Sequence, residues 1–148
     1  MKPQISADLM MTSPFIFPIR VYYEDTDAGG VVYHSNYLNF FERARTEMLR
    51  DLGFEQTTLH AEYGVIFAVR AMQIDFIRPA KFDNLLHASS VINQVKKASL
   101  VFEQTLKHDE IILCTASCKI ACLNADTFQP TAIPDFLYKQ FLMKSNEH

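Results

Sequence analysis

Apolar positions along the chain follow two different periods. Tyr37, Phe41, Ala44 and Met48 recur at intervals of four, three and four, and Leu38, Phe40, Leu49 and Leu52 widen the stripe. Glu42, Arg43, Arg45, Glu47 and Arg50 fall on the wetter side. The spacing predicts one long helix lying against a sheet. Ser35 or Asn36 can cap its first turn, and Gly53 can stop it. Elsewhere the period is nearer two. Residues 15–24 read as a first strand, with Pro18 near its start or on an edge. Residues 65–77 carry apolar groups on both parities, the pattern of a central strand covered on both faces. Residues 85–94, 98–107 and 111–123 follow as strands joined by short turns, which favour antiparallel neighbours. A weaker helical tendency runs over residues 135–142.

The expected fold is therefore α+β, a five-stranded, mostly antiparallel sheet around one long helix. Residues 1–14 read as a flexible extension, with Met10 and Met11 as alternative starts. Residues 15–140 form the domain and 141–148 a C-terminal tail. One helix covers only one sheet face. Apolar content on the other predicts a partner subunit.

Composition narrows the function. The chain has 148 residues, enough for one domain with a real core, and a formal charge of -3. No basic stripe stands out, so nucleic acid is not an expected partner. Cys114, Cys118 and Cys122 are no disulfide framework, and they point to a reducing compartment. Neighbours four apart on a strand lie about 13 Å apart, too far to close around one zinc. The three read as small buried side chains, and no metal is expected. His60, His87 and His108 show no ligand spacing, and the chain has no Gly-x-Ser-x-Gly elbow or P-loop. Neither a signal peptide nor a membrane span is evident.

The chemical clue is the turn Glu24-Asp25-Thr26-Asp27-Ala28-Gly29-Gly30, which feeds straight into the helix start. Asp27 can activate water or attack a carbonyl. Unpaired amides around Tyr33 to Asn36 can hold a developing oxyanion. The ordinary reading of a loop carboxylate is a solvated turn residue. Asp25 reads as a loop-shaping hydrogen-bond acceptor. Glu42 and Glu47 read as structural or surface charges.

The run from Tyr22 to Leu49 carries, in order, Asp-Thr-Asp, Gly30, Val31-Val32-Tyr33-His34, Asn36-Tyr37 and Glu42-Arg43-Ala44-Arg45. It resembles the acyl-CoA thioesterases of the YbgC type, in the 4-hydroxybenzoyl-CoA thioesterase branch of the hotdog superfamily. Asp75-Phe76-Ile77-Arg78-Pro79-Ala80 adds to the likeness, which covers about residues 15–140. The resemblance implies a hotdog fold, hydrolysis of acyl-CoA and sites at the interface of a homodimer or homotetramer. It places the family's catalytic carboxylate at Asp27, with Tyr23 and His34 as supporting catalytic residues and Gly30 as the turn glycine. It implies no cofactor. Acyl carrier protein is a further partner by family association, as is the Tol-Pal envelope machinery, which would put the protein in the cytoplasm near the inner membrane.

Several features remain expectations of residue type. Tyr33, Tyr37 and Phe41 suit the lining of a short-to-medium aliphatic acyl site. Arg78 and Lys81, with Lys96 and Lys97, suit a rim for the phosphates of CoA. The competing functions are a non-hydrolytic acyl-CoA or acyl-carrier binding module and a dehydratase. A dehydratase usually needs a histidine and a carboxylate on or near the central helix, whereas here both precede it.

Overall fold

The computed structural model describes residues 14–145. Apart from Pro14, the expected N-terminal extension lies outside the described residues, as do the last three residues of the tail. The strands are β1 (Phe15–Arg20), β2 (Val65–Phe76), β3 (Leu85–Asn93), β4 (Ser99–His108) and β5 (Ile111–Asn124). The two main helices are α1 (Asn36–Asp51) and α2 (Asp135–Ser145). The strands form one sheet in the order β1-β3-β4-β5-β2, with every neighbouring pair antiparallel. With α1 against one face, this is the expected hotdog arrangement.

The helical stripe packs largely as its spacing predicts. Tyr37, Phe40, Phe41, Ala44, Met48 and Leu49 are buried, while Leu38 remains 43% exposed. Gly53, at φ +97°, lets the chain leave the helix in a conformation that costs other residues more. The start differs from expectation. Ser35 is itself helical, at φ -70° and ψ -21°, and makes no side-chain cap. Instead the amides of Asn36, Tyr37 and Leu38 donate to the carbonyls of Tyr33, His34 and Ser35. These tight i→i+3 bonds satisfy the donors that a cap would have taken.

The first strand is shorter than expected. It stops at Arg20, and Tyr23–Asp25 forms a 3₁₀ turn. The Asp25 carboxylate accepts the Tyr22 amide at 2.9 Å, and the Asp25 amide donates to the Tyr22 carbonyl at 3.0 Å. Those two bonds curl the backbone that would otherwise extend. The connection after α1 is also partly helical, over Gln56–Thr58 and Leu59–Tyr63, and buries Leu59.

The expected central strand is an edge strand. β2 pairs only with β5 among the described residues. Its mixed parity comes from a bulge: Val69 pairs with Ile120 and Ala71 with Lys119, leaving Arg70 as the extra residue. Phe67 and Val69 before the bulge, and Met72, Ile74 and Phe76 after it, oppose the odd-and-even sequence pattern yet share one sheet face. The far face is correspondingly less apolar than expected. At its middle Glu103 opposes Ser117, Thr105 opposes Thr115, and Val101 opposes Lys119. The Ser117 hydroxyl donates to Glu103 at 3.1 Å.

Two apolar clusters fill the space between α1 and the sheet. One gathers Tyr37, Phe40, Phe41 and Ala44 with Leu86, Ala88, Leu106 and Cys114. The other joins Met48 and Leu49 to Ile92, Leu100, Phe102, Cys118 and Cys122, and is closed by Leu137 and Phe141 of α2. The polar Gln104 sits on β4 between Phe102 and Leu106, one from each cluster. All three cysteines are free and buried. Among the described residues no helix is long and apolar enough to cross a membrane.

Candidate active site

The turn between β1 and α1 is held from two sides. Internally, the Asp27 amide donates to the Val31 carbonyl at 2.9 Å and the Gly30 amide donates to the Asp27 carbonyl at 3.0 Å. Gly30 takes φ +80° to close this turn. Externally, the segment after β2 clamps it. The Val32 amide donates to Ala80 at 2.8 Å, and the Phe82 amide donates to Gly30 at 3.2 Å. The Ala80 amide in turn donates to the phenolic oxygen of Tyr37 at 3.0 Å. Burial pushes the Tyr37 phenol above its ordinary pKa, with the Ala80 hydrogen bond working the other way.

Asp27 is exposed and oriented by its own loop. Its Oδ1 accepts the Gly29 amide at 2.8 Å. A Cβ at Gly29 would lie 3.3 Å from that oxygen, so glycine gives the carboxylate its room. Asp25 is 6% exposed and has the loop-shaping role expected of it. Its carbonyl accepts both the Tyr33 amide and the Asn36 side-chain amide, each at 2.9 Å. The pull of that carbonyl on Asn36 was missed from sequence, where Asn36 suggested a helix cap.

The amides available to an oxyanion are fewer than expected. Tyr33 and Asn36 are engaged. The amides of His34 and Ser35 donate to nothing among the described residues. They sit at the positive end of a 16-residue helix.

His34 is exposed, and its ring lies 4.4 Å from that of the half-exposed Tyr33. Tyr23 is 77% exposed and stacks on Phe82, with ring centroids 4.0 Å apart. No hydrogen bond joins the Tyr23 hydroxyl or the His34 imidazole to Asp27 among the described residues. Lys81 is exposed and pairs through its backbone with Val31. Arg78 is exposed on the same segment, its amide donating to Leu113 at 3.0 Å. The structure thus brings Tyr23, Asp27, Tyr33, His34, Arg78 and Lys81 to one end of the sheet. Tyr37 and Phe41 are instead buried in the core. Lys96 and Lys97 lie in the β3–β4 connection at the opposite end and join no such rim.

One helical turn beyond His34 a cavity of about 420 Å³ opens along the flank of α1. Leu38, Leu49, Phe67, Met72 and Phe102 supply apolar walls, and Asn39, Glu42, Arg45 and Thr46 supply polar ones. Asp27 does not line it. The cavity suits a chain-like apolar group, and it lies apart from the Asp27 turn that precedes the helix start.

Comparison with known proteins agrees with the fold. The model of a family described as "Thioesterase superfamily" matches residues 29–115. The chain is 49% identical over 125 residues to "Acyl-CoA thioesterase YbgC" of Haemophilus influenzae, covering 84% of this chain and 92% of that protein. It is 44% identical over 133 residues to "Acyl-CoA thioester hydrolase YbgC" of Escherichia coli O157:H7, covering 89% and 98%. Among solved structures, a probable thioesterase from Bartonella henselae superposes with a TM-score of 0.79 at 44% identity. That superposition covers 82% of this chain and all of the other.

Proposed function

The chain belongs to the thioesterase superfamily, and from that premise we propose that it hydrolyses acyl-CoA to the free acid and CoA. The observation that carries the reading is the exposed Asp27 carboxylate, oriented by Gly29, in the turn that leads to the free His34 and Ser35 amides. Asp27 takes a proton from water, or attacks the carbonyl carbon itself and forms a mixed anhydride that water then opens. In either course an acyl–oxygen bond forms, the acyl–sulfur bond breaks, and the thiolate leaves and takes up a proton. The two amides meet the negative charge that develops on the carbonyl oxygen. His34 is the nearest titratable side chain in sequence to those amides and supplies the proton to the leaving thiolate. Tyr23, fixed by its stack on Phe82, supports the loop and the bound thioester.

The acyl group is short-to-medium and aliphatic. It passes Tyr33 and enters the cavity beside α1, whose walls are chiefly aliphatic and aromatic. Tyr37 supports the loop through Ala80, and Phe41 packs beneath the helix, so neither needs to touch the acyl chain. Arg78 and Lys81 meet the phosphates of CoA. The edge of β2, unpaired among the described residues and with Val69 and Phe76 each 52% exposed, supports edge-to-edge joining into a homodimer that completes the site; a homotetramer pairs two such dimers. Three free thiols suit the reducing cytoplasm.

The test is a kinetic panel of acyl-CoA from short to long, with benzoyl-CoA and acyl carrier protein thioesters, scored by free thiol released. Aliphatic acyl-CoA should be the best class. Hydrolysis of aromatic thioesters alone would reverse the substrate assignment. Hydration of enoyl-CoA with no thiol released would replace hydrolysis by the dehydratase reading.

A further inference from the structure

Among the described residues, Arg45 is the only cation whose side chain lines the cavity. Its Nη1 donates to Gln104 Oε1 at 3.0 Å. Gln104 is 2% exposed, and its side-chain nitrogen is committed to the Phe41 carbonyl at 3.0 Å and to Ser90 Oγ at 2.9 Å. Its oxygen is therefore the end presented to Arg45. A guanidinium carries five N–H donors, and this contact uses one. No carboxylate lies within 4.0 Å of Arg45 among the described residues. Glu42 lines the same wall three residues earlier and is exposed. Burial lowers the Arg45 pKa from its ordinary value, with Cys118 and the Glu42 carboxylate working the other way, so the group is drawn from water with no carboxylate in direct contact. A partly desolvated charge left unpaired is costly, and a fixed guanidinium fork matches a carboxylate well.

We propose that Arg45, held by Gln104, is a recognition group in this cavity, and that the cavity takes an aliphatic chain ending in a carboxylate. Arg45 lies eleven residues beyond His34, about 16 Å along the helix axis. A chain anchored at Arg45 thus points its other end toward the free amides at the start of α1. The ligand has two sources: the acyl group of an ω-carboxyacyl thioester, or a free alkanoic acid. The first rests on the thioesterase reading given above, and the second does not.

The test uses the intact protein at pH 7.5. Calorimetric titration compares octanoate with octanol, and steady-state kinetics compares decanedioyl-CoA with decanoyl-CoA, whose chain length matches the span from Arg45 to the helix start. Octanoate should bind about tenfold or more tightly than octanol. Arg45→Met should abolish that preference, and Arg45→Lys should retain part of it, because lysine keeps the charge without the fork. A higher kcat/KM for decanedioyl-CoA, also lost in Arg45→Met, assigns the carboxylate to the incoming acyl group. Octanoate preference without it assigns the site to free acid. Equal binding of octanoate and octanol, together with equal kcat/KM for the two thioesters, would overturn the proposal, and this comparison needs no variant. A carboxylate preference that survives intact in Arg45→Met would overturn it as well. If no acyl-CoA releases thiol while octanoate still binds through Arg45, the hydrolase reading fails and this one stands.

Discussion

The Tyr37 hydroxyl accepts a hydrogen bond from the Ala80 amide at 3.0 Å, joining the first turn of α1 to the segment that clamps the Asp27 loop. Ala80 is fully buried and its carbonyl also receives the Val32 amide at 2.8 Å. One residue therefore links the helix, the loop and the end of β2. Tyr37→Phe keeps the ring and leaves the Ala80 amide buried without an acceptor. The expected cost is about 1–3 kcal/mol. Thermal unfolding should show it as a fall of about 2–4 °C per kcal/mol. An unchanged melting temperature would mean that the clamp does not depend on this bond.

Gly29 and Asp27 predict a different separation of effects. Gly29→Ala places a methyl 3.3 Å from Asp27 Oδ1, so the carboxylate must shift by a few tenths of an ångström. Gly29 does not have the positive φ that Gly30 has, so little backbone strain is added. Because small misplacements are expensive in a catalytic site, kcat should fall by about tenfold while the unfolding midpoint hardly moves. Steady-state kinetics beside urea denaturation checks this, and loss of stability with normal kcat would contradict it.

The buried thiols set an alkaline limit. Burial raises Cys114 from an ordinary 9.0 to about 12 and Cys122 to about 11. Both are protonated in the fold at a pH where the unfolded chain has begun to ionise. Their contribution is fully present below pH 9 and is lost as pH rises toward 11 and 12. The slope above pH 9 is about 1.4 kcal/mol per pH unit for each thiol. Urea midpoints should fall between pH 8 and pH 10, and Cys122→Ala should make that fall shallower whatever its baseline stability. An equally steep fall in the variant would remove Cys122 as a cause.

The sequence was most informative where local chemistry and structure agree. The α1 stripe and the short β3–β4 and β4–β5 turns are local features, and they appear close to the expected positions. The Asp-Thr-Asp turn before the helix was legible for the same reason. The edge position of β2 was not, because strand order depends on pairings with β5 some 50 residues later. Arg70 hid the register further: one inserted residue moves the apolar set to the other parity and imitates a strand buried on both sides. Asn36 looked like a cap, but a carbonyl eleven residues earlier holds its side chain. Tyr37 and Phe41 suited an acyl lining by type, whereas their exact phase on α1 turns them into the core. The Arg45–Gln104 contact spans 59 positions and left no local signal.

The measurement that bears most directly on the catalytic assignment is kcat for Asp27→Asn, taken beside circular dichroism and the oligomer profile. The amide can still accept the Gly29 N–H that Oδ1 now accepts, so the turn should persist. It cannot act as a base or carboxylate nucleophile. The account predicts a folded protein of unchanged assembly with kcat reduced about 10²–10⁴-fold. A folded Asp27→Asn enzyme with near-normal kcat would contradict it and move the chemistry to another residue.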